Sequence, residues 1–260
     1  MRNVVVAALL TLLLSHASLA EGGAPSLGWQ VVSTRPHDAG AWTQGLQLDP
    51  QGRLYESTGL TGQSTLRQVD PESGEILHRK ELPVDLFAEG LASAENRLIQ
   101  LTWKDGMAFA WEPDTFELLE THQYDGEGWG LCHDGERLVM SDGSSRLTFR
   151  DADTFEITAS VDVSLDGEPA GRFNELECVD GLVWADLYPT EWIARIDPVR
   201  GEVTGLLDLG PLVEEQREQG GGVLNGITYD AVTDTYLVTG KLWPQLFEIR
   251  ILEPDAALPS

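Results

Sequence analysis

The sequence predicts an all-β protein, a five-bladed β-propeller, and the main reason is a short motif that recurs along the chain. The motif reads x-Gly-apolar. Its copies are TQGL at 43–46, AEGL at 88–91, GWGL at 128–131, NELE at 174–177 and LNGI at 224–227. Their second residues are 45, 40, 46 and 50 residues apart, and only the NELE copy replaces the glycine, by Leu176.

A second repeated pattern, an acidic turn, runs in phase with the first. Its copies begin at Asp70, Glu112, Asp151 and Asp197, and each continues with a polar tip and an apolar residue. This composition is typical of a tight turn between two strands. The two patterns together predict four short strands in each repeat unit. Five such units arranged radially form a propeller. A β-sandwich with strands of similar length is the alternative, but the periodic restart of the motif favours the propeller.

The ends of the chain fit a closed ring and a single domain over residues 21–260. Strand WQVVST at 29–34 is predicted to complete the unit that ends with LFEIRIL at 246–252. PLVEEQREQ at 211–219 is the best candidate for a short helix. No long linker divides the chain.

Residues 1–20 have the composition of a secretory signal peptide cleaved before Glu21. They contain a basic residue, Arg2, then an apolar run at 4–14, then small residues near position 20. The apolar run is short for a membrane span. Export to the periplasm or the extracellular space is the prediction, with no membrane contact after cleavage. An uncleaved N-terminal anchor is the alternative.

Charge and cysteine content restrict the partners. The formal net charge of −26 excludes nucleic acid as an expected partner and favours neutral or cationic ones. In an exported chain, Cys132 and Cys178 predict one disulfide, because each lies three positions after the second residue of a motif copy. The histidines and cysteines lack the spacing of a metal motif, so no catalytic metal is expected. A structural calcium ion is an open alternative in so acidic a chain, although no ligand motif predicts one.

Nine segments, taken in order, resemble the plant-type glutaminyl cyclases, which also occur in bacteria. The segments are TQGL, YESTGLTGQSTLRQVD, FAEGL, LTWK, GWGL, SDGSSRL, NELE, LNGI and TGKLWP, and the likeness as a whole runs from about Trp42 to Ile251. The resemblance implies a five-bladed propeller that converts N-terminal glutaminyl residues of peptides or proteins to pyroglutamyl residues and releases ammonia. It implies no cofactor for catalysis, unlike the animal-type cyclases, which use zinc.

The resemblance also implies roles for individual residues. Glu89 of FAEGL corresponds to the general acid/base. The polar contacts to the substrate, including donors to its carbonyl oxygen, fall on Gln44, Asn174 and Lys241. The aromatic pocket walls fall on Trp103 and Trp129. The chain departs from the family after NELE, where ADLY places Asp186 at an expected Asn and Tyr188 at an expected Trp.

Other interpretations of the same residues stay open. Without the resemblance, Glu89 could be a carboxylate that only accepts hydrogen bonds from backbone amides of the channel. Lys241 could form an ion pair with Glu175 or Glu177, and the tryptophans could be core residues. A lactonase-type propeller hydrolase would hold a divalent cation in the channel through a set of oxygen ligands: Glu89, Asn174, Asn225 and Asp142. A non-catalytic exported propeller that binds peptides or glycans is the third class.

Overall fold

The structure of the protein is a computed structural model that describes residues 23–253, so the predicted signal peptide lies outside the described residues. These residues form an all-β fold with one short helix, α1 (Gly210–Glu218), where the sequence predicts one. The strands are β1 (Ser26–Pro36), β2 (Thr43–Leu48), β3 (Leu54–Thr58), β4 (Thr65–Val69), β5 (Ile76–Glu81), β6 (Ala88–Ala94), β7 (Arg97–Thr102), β8 (Met107–Trp111), β9 (Leu118–Gln123), β10 (Leu131–His133), β11 (Leu138–Ser141), β12 (Arg146–Arg150), β13 (Ile157–Asp162), β14 (Ser164–Leu165), β15 (Glu168–Pro169), β16 (Phe173–Val179), β17 (Leu182–Leu187), β18 (Trp192–Asp197), β19 (Glu202–Asp208), β20 (Leu224–Asp230), β21 (Thr235–Gly240) and β22 (Gln245–Leu252).

Most strands pair with their neighbours in sequence. Strands β2–β5, β6–β9 and β10–β13 each form a separate antiparallel sheet of four strands. A larger sheet has the order β16-β17-β18-β19-β1-β22-β21-β20. Its two antiparallel halves meet where β1 pairs with β19 in parallel at two positions, Ser26 with Leu206 and Leu27 with Leu207.

The first strands of these sheets and half-sheets lie around one centre. Strand β2 contacts β6 and β20, and the series continues from β6 to β10, from β10 to β16 and from β16 to β20. The result is a propeller-like all-β fold. As predicted, the N-terminal strand completes the last unit: β1 pairs antiparallel with β22, with Trp29 opposite Ile251 and Thr34 opposite Phe247.

Apolar side chains fill the spaces between neighbouring sheets. In one such cluster, Ala92 and Ile99 of the β6–β9 sheet pack with Leu131 and Met140 of the β10–β13 sheet. The sheets therefore pack face to face, as the blades of a propeller do. None of the helices in the part of the chain that the structure describes is long and apolar enough to cross a membrane.

Each acidic turn joins two strands, as predicted, and the structure shows that these are the third and fourth strands of a unit. In each turn the acidic side chain accepts a hydrogen bond from a backbone N–H three residues later. The acceptor side chains are Asp70, Glu112, Asp151 and Asp197. These short-range bonds satisfy the turn backbone, which explains why an Asp or Glu recurs there.

The glycine of the recurring motif is required because first strands approach each other backbone to backbone. A Cβ atom on Gly90 would lie 2.7 Å from Trp129 O, and one on Gly130 would lie 1.8 Å from Asn174 O. A Cβ atom on Gly45 would lie 2.6 Å from Leu91 N. The motif therefore marks the ring of close contacts around the centre.

The NELE copy, which lacks the glycine, is held by the carboxyl groups of two glutamates instead. Glu175 accepts hydrogen bonds from Leu46 N at 3.1 Å and Ile227 N at 2.9 Å, and so joins β16 to both β2 and β20. Glu177 accepts a hydrogen bond from Tyr229 N at 3.2 Å. Burial raises the pKa of Glu177 to about 8.

The predicted disulfide is confirmed. Cys132 of β10 and Cys178 of β16 are bonded, with a Cα–Cα distance of 5.5 Å and a separation of 46 residues in sequence. The bond therefore joins the first strands of two neighbouring units.

Replacing both cysteines by alanine should lower the free energy of unfolding by about 3–4 kcal/mol, because the unfolded chain regains the entropy of an open loop. The measurement is urea unfolding of the wild type and the double variant, with the wild type under reducing conditions as the control. An unchanged unfolding midpoint would show that the bond contributes little to stability.

Candidate active site

One pocket of about 210 Å³ opens at the end of the ring where the first strands begin. It is lined by polar and aromatic side chains: Trp42, Gln44, Phe87, Glu89, Trp103, Trp129, Asn174, Tyr188 and Lys241. All seven pocket residues predicted from the sequence are among them. Trp42 and Phe87 were missed, although each lies two positions before the second residue of a motif copy.

The positions of these residues follow the strand pattern. Gln44, Glu89 and Asn174 lie in the first strands β2, β6 and β16. Other lining residues directly follow second strands: Trp103 after β7, Tyr188 after β17 and Lys241 after β21. Because paired first and second strands run antiparallel, these starts and ends meet at one side of the ring.

The register shifts in four of the first strands, and in three of them the side chain at the shift lines the pocket. The strand register shifts between Thr43 and Gly45, around Gln44, and between Ala88 and Leu91, around Glu89. The same shift occurs at Asn174 in β16 and at Asn225 in β20. Bulges of this kind re-aim a side chain. The third motif copy differs: Trp129 precedes the short strand β10 by two residues and is not part of it.

Glu89 is a buried carboxyl with an altered acidity. Glu89 is only 5% exposed to solvent. Burial raises its pKa well above the ordinary value, and Glu127 contributes in the same direction. Lys241 and a hydrogen bond from Gln44 oppose the shift only in part. A carboxyl whose pKa is raised in this way holds a proton more readily than an exposed one, which suits a group that accepts a proton and returns it.

Lys241 is a buried ammonium group beside Glu89. Burial lowers its pKa to about 8, against the opposing effect of Glu89, Asp186 and Glu175. Its Nζ donates a hydrogen bond to Thr43 O at 2.9 Å and lies 5.8 Å from the centre of the Trp42 ring. Among residues 23–253, the side-chain contact of Nζ is this backbone oxygen and not a direct ion pair with Glu175 or Glu177, although the charge of Glu175 acts on Lys241.

The amide side chains of the pocket leave hydrogen-bonding capacity free. Within the described part of the chain, the buried Oε1 of Gln44 and Oδ1 of Asn174 have no hydrogen-bond partner. Buried polar atoms are nearly always paired in native proteins. These amides are therefore available to a bound molecule that carries amine, amide and carbonyl groups.

Asp186 lies beneath the pocket and does not line it. Its Oδ2 accepts a hydrogen bond from Gly226 N at 2.9 Å. Burial raises its pKa to about 7, opposed by the Gly226 hydrogen bond and the charge of Lys241. A second titratable carboxyl therefore lies near Lys241.

The aromatic side chains form the walls of the pocket. The Phe87 and Trp103 rings meet edge to face with their centres 5.6 Å apart. Trp129 and Tyr188 also meet edge to face, at 5.8 Å. All of these rings are partly exposed, so the tryptophans are not core residues.

A buried ionic network supports the start of β2, next to the pocket. Glu56 accepts a hydrogen bond from Thr43 Oγ1 at 2.8 Å and lies 3.0 Å from His37 Nε2. Burial opposes both charges, but Glu56 raises the pKa of His37, and His37 and Arg67 lower the pKa of Glu56. This network fixes the strand whose carbonyl oxygen receives the Lys241 hydrogen bond.

The oxygen ligands expected of a metal-dependent hydrolase do not converge in this pocket. Asp142 is exposed and accepts a hydrogen bond from Ser144 N in a turn. Asn225 donates to Thr43 O at 3.0 Å and does not line the pocket. Among residues 23–253, no group of three or more His, Cys, Asp or Glu side chains is arranged to hold a metal ion.

Comparisons with known proteins give one consistent result. A family model described as glutamine cyclotransferase matches residues 4–251. A glutaminyl-peptide cyclotransferase of Arabidopsis thaliana is 35% identical over 231 residues, which are 87% of this chain and 72% of the relative. The crystal structure of Myxococcus xanthus glutaminyl cyclase superimposes with a TM-score of 0.82 and 40% identity, covering 87% of this chain and 98% of the other. The chain therefore belongs to the glutamine cyclotransferase family.

Proposed function

We propose that this chain catalyses the cyclisation of N-terminal glutaminyl residues of peptides, which yields a pyroglutamyl peptide and ammonia. The observation that carries the proposal is the convergence of unlike polar groups in one aromatic pocket. A buried carboxyl (Glu89), a buried ammonium (Lys241) and two amides (Gln44 and Asn174) line it together. The family supports the same reaction, and its Arabidopsis member is named for it.

Glu89 is proposed to transfer the proton. The α-amino nitrogen of the glutaminyl residue attacks the side-chain amide carbon, and a C–N bond forms within the same residue. Glu89 accepts the proton that the attacking nitrogen loses. It then donates this proton to the nitrogen of the side-chain amide. The original amide C–N bond breaks, and ammonia leaves. One carboxyl completes the cycle unchanged, and the raised pKa of Glu89 suits both steps.

Lys241 and Asn174 are proposed to stabilise the negative charge that develops on the amide oxygen during attack. Both side chains line the pocket with Glu89. Fixed donors in a site that excludes water stabilise such a charge more strongly than water does. With a pKa of about 8, Lys241 remains mainly protonated at neutral pH and can act as a charged donor.

The aromatic walls are proposed to hold the bent conformer of the glutaminyl residue that cyclises. Trp103, Trp129 and Tyr188 would enclose its apolar stem, and an indole face would receive the cationic amine before deprotonation. Gln44 would orient Glu89 and the amine, since its amide interacts with Glu89. Holding nucleophile and electrophile together accounts for much of the rate of an intramolecular reaction.

The basic and amide donors beside Glu89 favour this enzyme over a non-catalytic propeller that only binds peptides or glycans. The direct test is incubation of the protein with a peptide that begins with glutamine, followed by mass spectrometry. The expected product has lost one molecule of ammonia. The same peptide incubated without the protein is the control for spontaneous cyclisation. Recovery of the glutamine peptide unchanged would refute the proposal.

Chelator treatment separates this mechanism from a metal-dependent one. We expect the rate of cyclisation to be unchanged after incubation with EDTA or a zinc-specific chelator, because every proposed step uses protein side chains. The measurement is ammonia release before and after treatment, with the fold followed by circular dichroism. Loss of turnover that zinc or calcium restores, while the fold stays intact, would instead show a metal requirement.

We further infer that the repeated units make a five-bladed propeller forming a single catalytic domain over residues 21–260. Five first strands contact in a cycle and each begins a set of four antiparallel strands, which supports this count. Export to the periplasm or the cell exterior is inferred from the N-terminal sequence and from the disulfide, which persists in oxidising compartments.

A further inference from the structure

Two walls of the pocket share one hydrogen-bond acceptor outside the pocket lining. Trp103 Nε1 donates to Oε2 of Glu127 at 2.8 Å, and Trp129 Nε1 donates to the same oxygen at 2.9 Å. Trp103 follows β7 and Trp129 precedes β10, so the two indoles come from different sheets. A single carboxylate oxygen therefore ties together two walls that have separate backbone supports.

Lys104 completes this arrangement from the outside. Its Nζ lies 3.6 Å from Oε1 of Glu127 and 3.9 Å from the centre of the Trp103 ring. The ammonium thus occupies one face of Trp103. The other face and the edge of this ring stay open to a bound molecule.

The carboxylate of Glu127 stays ionised at neutral pH. The hydrogen bond from Trp129 lowers its pKa, and partial burial acts in the opposite direction. The hydrogen bond from Trp103 and the charge of Lys104 lower the pKa further. An ionised acceptor gives stronger hydrogen bonds than a neutral one. Because an indole N–H generally needs a partner when it is partly buried, removal of Glu127 leaves both tryptophans free to turn.

We propose that Glu127 is a positioning residue that holds Trp103 and Trp129 at the spacing that a glutaminyl residue requires. This inference rests on the proposed function of the pocket. The carboxylate touches the indoles on their outer side, so it acts on the substrate through the tryptophans. A preformed pocket avoids the cost of ordering two large side chains each time a peptide binds.

The charge of Glu127 gives a second, separable effect on Glu89. The groups that act on Glu89 are Lys241 and Gln44, which stabilise its ionised form, and Glu127, which destabilises it; Tyr124 also lies close enough to interact. Neutralising Glu127 removes a repulsion between two carboxylates. The Glu89 carboxyl then ionises at lower pH, and the acidic limb of the pH profile of kcat moves to lower pH.

Variants at position 127 test this inference. Glu127→Ala removes the acceptor, and KM should rise by about ten- to a hundred-fold, since two hydrogen bonds to a charged group are lost. Glu127→Gln keeps one acceptor oxygen without the charge. It should raise KM less and shift the acidic limb of kcat downward. Asp125→Asn is the matched control, because it removes a nearby exposed carboxylate that does not contact either indole.

The readouts distinguish this inference from the proposed function. If the wild type cyclises a glutamine peptide and Glu127→Ala does so with wild-type KM and pH profile, the positioning role is refuted and the function stands. If the wild type releases no ammonia, the function fails. The indole N–H resonances of ¹⁵N-labelled protein test the two hydrogen bonds to Glu127 independently of activity. Two resonances should move in Glu127→Ala and none in Asp125→Asn. Unmoved resonances would refute it.

Discussion

Glu89→Gln should lower kcat for cyclisation of a glutamine peptide by about 10²–10⁴-fold, the usual contribution of a positioned general acid/base. Glutamine keeps the shape of the side chain and its hydrogen-bonding capacity, but it cannot accept a proton and return it. KM should stay within a few-fold of the wild-type value, because the aromatic walls and the amides of the pocket are unchanged. The measurement is steady-state ammonia release from a Gln-Xaa peptide.

The variant should fold at least as well as the wild type at neutral pH. The pKa of Glu89 is raised in the folded state, so the folded protein binds a proton that the unfolded chain releases. The wild type therefore loses stability as pH rises between the unfolded and folded pKa values, and glutamine removes this loss. Glu117→Gln, at an exposed position, is the matched control. A folded Glu89→Gln protein with wild-type kcat would show that Glu89 serves only the structure of the channel.

The recurrence of the motif was enough to predict the propeller-like fold, the closing strand and the disulfide. These features depend on spacing along the chain, which a sequence displays directly. The family resemblance, not the repetition, assigned Gln44, Glu89 and Asn174 to one pocket, and all three line it. The repeat placed Glu175 at the position of Gln44 and Glu89, which was wrong, because the register shifts make Asn174 the equivalent residue. The sequence also shows that the motif contains a glycine. The reason, close contact between the backbones of neighbouring first strands, is seen only in the structure.

Residues that act through shape or through a neighbour were harder to predict. Trp42, Phe87 and Glu127 each lie two positions before the second residue of a motif copy, a shared position that the sequence shows. Their chemical types differ, so the shared position alone did not assign a role. The sequence also gave no sign that Trp129 would lie outside β10. Strand bounds at a bulge depend on the partner strand, which a single segment does not contain.

Lys241→Met should lower kcat by about 10²–10³-fold, because it removes a charged donor to the oxygen that becomes negative during attack. Methionine has similar length and suits a buried site. Lys80→Met is the matched control, since Lys80 is exposed on the outer strand β5 and does not line the pocket. Circular dichroism and urea unfolding establish that both variants are folded.

The pH profile of kcat identifies the charge of Lys241 as the cause. Because its pKa is lowered to about 8, the wild type should lose turnover as the pH rises through about 8 and the ammonium deprotonates. The Met variant should lack this alkaline limb. It should also show an acidic limb shifted to higher pH, because the nearby positive charge that lowers the pKa of Glu89 is gone. The profile is taken on kcat, since kcat/KM also reports the α-amino group of the free peptide, with a pKa of about 8. If Lys241→Met retains wild-type kcat and its alkaline limb, the oxygen is stabilised by other groups, and Lys241 serves only to hold Thr43 and the start of β2.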